Sequence, residues 1–263
     1  MSRSAAVLSF WILLALVAPW LGLSADAIHL DKILAGPGMD AWLGYDDLGR
    51  DLLARLLAGA GVSLTVAGCV TVVTFILGTL VGLIAGYHGG WLDRLLMQIT
   101  EVFLAFPGIL LAIAFAAVLG PGVGNLILAL CLTSWVGYAR LARGQALALA
   151  NRQHVLAAQV LGASTMRILI KHVLPLLAAP LLVEATFSIA SLIIAEASLS
   201  FLGLGIQPPH ASWGAMLRDG VRYLLVASHY VLVVGGSLMS LVLAVNLLGD
   251  KLRDTLDVKD RNF

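Results

Sequence analysis

Residues 64–87 read LTVAGCVTVVTFILGTLVGLIAGY, a run without a single charged side chain. The hydrocarbon core of a bilayer takes about 20 apolar residues of helix to cross, and this run is long enough. Lipid offers no partner for backbone N–H and C=O groups, so a run of this kind is a helix and not an open strand. It lacks the apolar/polar alternation of a barrel strand. Gly78, Gly82 and Gly86 recur every fourth residue, a small-residue stripe that lets a second helix approach closely.

Working outward, further apolar segments occur at Ala5–Leu23, Val102–Leu119, Asn125–Leu141, Val173–Ala197 and Tyr223–Leu248. The chain is therefore expected to be an all-α integral membrane protein. It forms one transmembrane domain over residues 1–263, with six spans near 5–23, 64–87, 102–119, 125–141, 173–197 and 223–248. Pro107-Gly108 in the third segment and Pro175 and Pro180 in the fifth predict kinks. Arg3, the run Ala5–Leu23 and Ser24-Ala25-Asp26 have the order of a signal peptide. The run exceeds the roughly 7–15 residues of a signal core, so it reads as a retained first span.

Composition agrees. Hydrophobic residues make up 60% of the chain and charged residues 12%, with mean hydropathy +0.97; soluble domains carry about 25% charged residues. A net charge of +1 leaves no basic field for nucleic acid. Cys69 and Cys131 lie in apolar runs and are expected as small buried hydrophobes, with no disulfide framework or zinc spacing. There is no G-x-x-x-x-G-K-[ST] phosphate loop, no G-x-S-x-G and no H-E-x-x-H. His88, His172, His210 and His229 are scattered, so no catalytic site, bound cofactor or metal site is expected in this chain.

Basic residues set the orientation. The segment between the fourth and fifth spans carries Arg140, Arg143, Arg152, Arg167 and Lys171 and no acid; the tail carries Lys251, Arg253, Lys259 and Arg261; Arg3 and Arg94 fall on the same side. The segment 24–63 sets Lys32, Arg50 and Arg55 against Asp26, Asp31, Asp40, Asp46, Asp47 and Asp51. The positive-inside rule then puts both termini in the cytoplasm.

The cytoplasmic segment 142–172 is the most informative. Asn151–Leu161 can form a short helix that Gly162 ends in a left-handed conformation. Ser164 can cap a second helix running through Arg167 and Lys171 to Pro175. Ala157 and Ala158 would leave the resulting elbow smooth enough for another protein surface. Residue chemistry alone also allows an interfacial linker whose cations rest on lipid headgroups.

The fifth segment holds Glu184 and Glu196, about three helical turns apart and so on one face. Intramembrane carboxylates are functional candidates by default. These could line a pathway, for the amino group of a peptide or for a cation, or pair with neighbouring helices near the membrane edge. Glu101 and Arg140 sit at span ends, where snorkelling explains them.

Leu156-Ala157-Ala158-x-x-x-Gly162, followed by Leu174-Pro175, resembles the EAA loop of bacterial ABC importer permeases, with Leu156 where that family usually has Glu. The resemblance implies coupling helices seated in a groove of an ATPase subunit. It places Gln153, Leu156, Ala157, Ala158, Gly162, Ala163 and Pro175 at that contact. Three further stretches resemble the permease group serving dipeptides, oligopeptides and nickel, specifically its second, "C"-type subunit. They are Trp42-Leu43-Gly44-Tyr45-Asp46-Asp47-Leu48-Gly49-Arg50-Asp51, Glu196–Gly205 continuing through Pro208-Pro209 to Ser212-Trp213-Gly214, and Asn246–Asp254.

The resemblance implies a second homologous permease chain, two ATPase subunits holding ATP and Mg²⁺, an extracytoplasmic solute-binding protein, and residence in the bacterial inner membrane. The solute is then a small peptide, with nickel or a metal chelate as the alternative. Asp46, Asp47, Arg50 and Asp51 either fix the outer loop by internal pairing or help seat the binding protein. Gly203, Gly205, Pro208 and Pro209 turn the chain at the outer face, and Trp213 suits the interface. A stand-alone secondary transporter would favour paired mid-membrane acids and internal repeats, which the sequence lacks. An intramembrane enzyme would need a nucleophile–base or metal constellation, also lacking.

Overall fold

The protein is described by a computed structural model over residues 3–260, with side chains through Leu256; Arg261 and the side chain of Lys259 lie outside the described residues. Helix α1 (Arg3–Val17) continues into a 3₁₀ turn, Ala18–Trp20, and a second 3₁₀ turn follows at Leu30–Lys32. Then come α2 (Leu52–His88), α3 (Gly90–Leu104), α4 (Gly108–Leu119), α5 (Val123–Ala150), α6 (Gln153–Val160) and α7 (Thr165–Ile168). A π turn at Leu169–Val173 leads into α8 (Leu174–Phe201), followed by α9 (Trp213–Val221) and α10 (Ser228–Asp260). Among the described residues extended pairing is limited to one isolated bridge, Tyr45 to Asp51.

Among the described residues five helical segments are long and apolar enough to cross a membrane, and a sixth forms if α3 and α4 count as one span bent by 85°. The expected kink at Pro107 is thus a corner. Proline lacks an N–H and drives the residue before it out of helical geometry, so α3 ends just ahead of it. Other boundaries lie beyond the apolar runs. Helix α2 starts at Leu52 and not near 64, and α5 runs to Ala150, past the expected end at Leu141. That shortens the expected loop 142–172. Helix α3 reaches back to Gly90. In each case the added turns carry charges (Arg55, Arg143, Asp93) that end an apolar run without ending a helix.

The chain packs as two compact units. One comprises the residues through Cys69, Ile113–Ala129 and Ile189–Leu248; the other comprises Val70–Ala112, Leu130–Ser188 and the residues from Gly249.

In the first unit Trp213 is fully buried, which corrects its expected place at the interface. Its indole N–H donates to the Leu56 carbonyl at 2.9 Å, and Trp11 meets it edge-on at 5.1 Å between centroids. Gly59 makes the space: a Cβ there would stand 2.8 Å from the indole. Ser212 caps α9, its hydroxyl accepting from the Ala215 N–H at 3.1 Å.

In the second unit the glycine stripe is in use. Gly78, Gly82 and Gly86 lie against the α5 backbone between Trp135 and Ala146; a Cβ on Gly82 would sit 2.8 Å from the Ala142 Cβ. Phe75 meets Tyr138, and Phe103 meets Trp135, each edge-on at 5.6 Å. Cys69 is exposed and Cys131 half-buried, so neither is the buried hydrophobe expected. Both sit on helices whose outer solvent is lipid, where a thiol needs no protein cover.

Gly82→Val should lower the melting temperature of the purified protein in detergent by several degrees, because overpacking costs about 1–3 kcal/mol. Gly68→Val, on the same helix with open space at its Cβ position, should leave it nearly unchanged. Equal shifts in the two variants would show that helix propensity, not the close approach, sets the effect.

Candidate functional site

The elbow begins where α5 ends. After Asn151 and Arg152 the chain forms α6, and Gly162 then takes φ +76°. The Gly162 N–H donates to the Gln159 carbonyl at 2.9 Å and the Ala163 N–H to the Ala158 carbonyl at 3.0 Å, the bond pair that closes a helix through a left-handed residue. Ser164 stands at the N-terminal cap of α7, but its hydroxyl accepts no bond from that helix, correcting the expected cap. The segment from Thr165 is a single α turn running through the π turn into α8, and its first helical bond runs from the Ile168 N–H to the Ser164 carbonyl at 3.0 Å, so Ser164 takes part through its backbone.

Packing fixes the elbow to its unit. Val155, Ile168, Leu169 and Val173 join Leu177, Leu181, Leu83, Tyr138, Ala142 and Ala146 in one buried cluster. Ala158 belongs to this cluster, whereas Ala157 is exposed. The two alanines expected to act alike therefore do different things. Gln153 and Leu156 are exposed, Ala163 packs partly against the cluster, and Val160 and Leu161 are 89% and 86% exposed.

A groove of about 380 Å³ runs between His154, Leu161, Arg167 and His172. A neighbouring one, bounded by Lys171 and Pro175, shares both histidines. The Gln159 side chain donates to the Tyr87 hydroxyl at 3.0 Å, tying α6 to the end of α2. Arg143 donates through Nε and Nη2 to both oxygens of Asp93, at 2.5 and 2.7 Å, bracing α3 against α5. The sequence counted Arg143 only as an orientation charge; its paired, forked geometry needs the fold to be seen.

The loop between α1 and α2 is an ion-pair network. Asp46 is fully buried; its Oδ1 accepts from the N–H groups of Leu48 and Arg50 at 2.9 and 2.8 Å, and its Oδ2 from Arg50 Nε at 2.6 Å. Arg55, also buried, lies within ion-pair range of Asp46 at 3.4 Å and donates to the Ala25 carbonyl at 3.2 Å. Asp51 caps α2, its Oδ1 accepting from the N–H groups of Leu53 and Ala54 at 2.7 and 3.1 Å. That cap was readable as Asp ahead of an apolar helix and went unused. Asp47 is the partly exposed member, its side chain 21% exposed, and it lies within ion-pair range of Arg50 at 3.5 Å. Burial, with Asp46 and Asp219 nearby, raises its carboxyl above the ordinary range. Asp46, Arg50 and Asp51 are thus internal ties of the loop, while Trp42 and Met39 stand exposed beside them.

The two carboxylates of α8 have different surroundings. Glu196 is fully buried; the Ser63 hydroxyl donates to it at 2.6 Å and the Ser200 hydroxyl at 2.9 Å. Ser200 in turn accepts from the Ile206 N–H at 3.3 Å, so the chain after α8 folds back over this group. That matches the pairing alternative. Glu184 is half-buried and lines a cavity of about 510 Å³ with Gln145, Pro180 and Arg253. Ser63 was invisible as a partner because the pairing joins positions far apart in the chain.

Comparison with known proteins places this geometry. Residues 78–256 match the family described as binding-protein-dependent transport system inner membrane component. The chain is 43% identical over 229 residues to the glutathione transport system permease protein GsiD of Pectobacterium atrosepticum, covering 87% of this chain and 76% of that protein. It is 41% identical over 254 residues to the dipeptide transport system permease protein DppC of Alkalihalophilus pseudofirmus, covering 96% and 84%. Among solved structures, an inward-facing form of the MetNI methionine ABC transporter superposes with a TM-score of 0.65 at 20% identity, over 78% of this chain and 97% of that one. This last likeness is one of fold.

Asp46→Ala should destabilise the protein by about 3–5 kcal/mol, since it removes the buried carboxylate between Arg50 and Arg55 and leaves them the ion pairs to Asp47 at 3.5 Å and Asp26 at 3.4 Å. Asp47→Ala, at a partly exposed site, should cost about 1 kcal/mol or less. Thermal unfolding of the two purified variants separates these outcomes.

Proposed function

Because the chain belongs to the family of binding-protein-dependent transport system inner membrane components, we propose that it is the second permease of an ATP-driven importer of small peptides. Its relatives' names, glutathione and dipeptide transport permeases, supply the solute class. The observation that carries the mechanism is the elbow, a short helix bearing solvent-facing Val160 and Leu161 on a base locked into its own unit. Exposed apolar side chains outside lipid mark a protein contact.

Two ATPase subunits dock here, and they hold the ATP and Mg²⁺; this chain contributes no nucleotide site. A second, homologous permease completes the pathway, and both termini face the cytoplasm. An extracytoplasmic binding protein delivers the peptide to the outer loop, where Trp42 and Met39 offer contact area. ATP binding closes the ATPase pair. The elbow carries that displacement into α2, α5 and α8, to which it is bonded or packed. The permeases alternate between outward and inward openings because nucleotide and loaded binding protein each favour one state. The metal alternative has no observation of its own; among the described residues no group of three or more His, Cys, Asp or Glu is gathered for an ion.

Ala157 gives the sharper test of docking, since Ala158 is buried and a charge there would also break the core. Ala157→Glu should cut ATP-driven uptake of a labelled dipeptide in proteoliposomes by about tenfold or more, the scale of a desolvated unpaired charge at an interface. Insertion and thermal stability should stay intact. Wild-type uptake by an assembled Ala157→Glu complex would remove the coupling role.

A further inference from the structure

Helix α8 turns one face, from Leu176 through Pro180 and Glu184 to Phe187, toward a cavity of about 510 Å³ that Gln145 and Arg253 also line. Among the described residues Glu184 has neither a hydrogen-bond donor nor an ion-pair partner, although it lies inside a membrane-spanning helix. A carboxylate in that position is costly unless something cationic visits it. On its other side Oε1 lies close to α5 at Gly137, where a Cβ would stand 3.3 Å away, so the glycine makes room for the carboxylate itself. Pro180 adds a second acceptor. It has no N–H, so the carbonyl of Leu176 one turn back loses its helical donor, on the face that lines the cavity. Gln145 adds a third through its amide oxygen.

A carboxylate with two uncharged carbonyl acceptors matches a primary ammonium, which has one charge and three N–H donors to place. Arg253, which has an interaction of its own, gives the same wall a positive group. A wall of both signs suits a zwitterion better than a bare metal ion. A cavity of about 510 Å³ also admits a short peptide.

We propose that Glu184 is the subsite that receives the α-ammonium of the peptide as it passes through the permease, with the Leu176 carbonyl and Gln145 completing the acceptor set. This rests on the peptide-importer reading above. The probe is labelled dialanine, moved into proteoliposomes by the intact complex at saturating loaded binding protein. The readout is dipeptides imported per ATP hydrolysed.

Glu184→Gln should lower that ratio about tenfold to a hundredfold, the scale of a lost hydrogen bond to a charged group, because handover fails while cycles continue. Glu184→Asp should recover most of it. A wild-type ratio in Glu184→Gln overturns the proposal. So does loss of the ATPase subunits from both variants on purification, which would make Glu184 a packing residue. A wild-type complex that hydrolyses ATP with its partners bound, yet imports no dialanine, removes the peptide reading first and this subsite with it.

Discussion

Hydrocarbon neither donates nor accepts a hydrogen bond, so each polar group the chain carries into the membrane must be satisfied by the chain itself. The long helices answer this for the backbone, and short side-chain bonds answer it for many side chains, although the buried hydroxyls of Thr71 and Thr79 make no hydrogen bond among the described residues. The Thr74 hydroxyl donates to the Val70 carbonyl one turn back at 2.7 Å, and the Asn125 amide donates to the Leu119 carbonyl at 2.7 Å, where α4 gives way to α5. The Trp213 indole reaches the Leu56 carbonyl. The constraint also sorts the charges. Asp93 with Arg143, and Asp46 with Arg50 and Arg55, carry their counter-charges with them, so helices and loops hold ions without exposing them to lipid.

The same pairing explains what the sequence could and could not tell. Runs such as 64–87 announce helices because nothing polar interrupts them. Their true ends do not show, because Arg55, Asp93 and Arg143 look like boundaries until their partners are known. The glycine stripe was legible as a close-packing face because every fourth residue shares one side of a helix, and α5 does lie against it. The elbow's helix and its left-handed Gly162 were legible from local chemistry alone. The division of labour between Ala157 and Ala158 was not, since two adjacent alanines look alike until one is seen to face the cluster around Val155. Trp213 read as an interfacial anchor because an indole near a helix end usually is one. Its burial depends on Gly59, a residue far away in sequence.

The replacement of the family's usual glutamate by Leu156 also takes on physical sense. The exposed part of the elbow is apolar at Leu156, Val160 and Leu161, and the nearby groove is bordered by Arg167, His154 and His172. No acid lies between positions 142 and 172. An apolar surface of this kind gains contact area from burial, with Arg167 as the positive charge beside it. The tie from Gln159 to Tyr87 and the shared core with Leu83, Tyr138 and Leu177 mean that a push on α6 acts on a packed body. Interiors of native density transmit displacement because they compress little.

Helix α8 then presents the sharpest contrast in the molecule. At Glu196 two serine hydroxyls are turned onto the carboxylate, and the chain that follows closes over it. At Glu184 nothing comparable is provided among the described residues, a proline removes a donor one turn earlier, and Gly137 on α5 makes room for the carboxylate. Both are glutamates in one apolar helix, so composition and periodicity treat them alike, and a purely structural demand would have satisfied both. In a protein whose solvent forgives no unpaired charge, a carboxylate left without a partner beside open space is where a passing cation has the most to contribute.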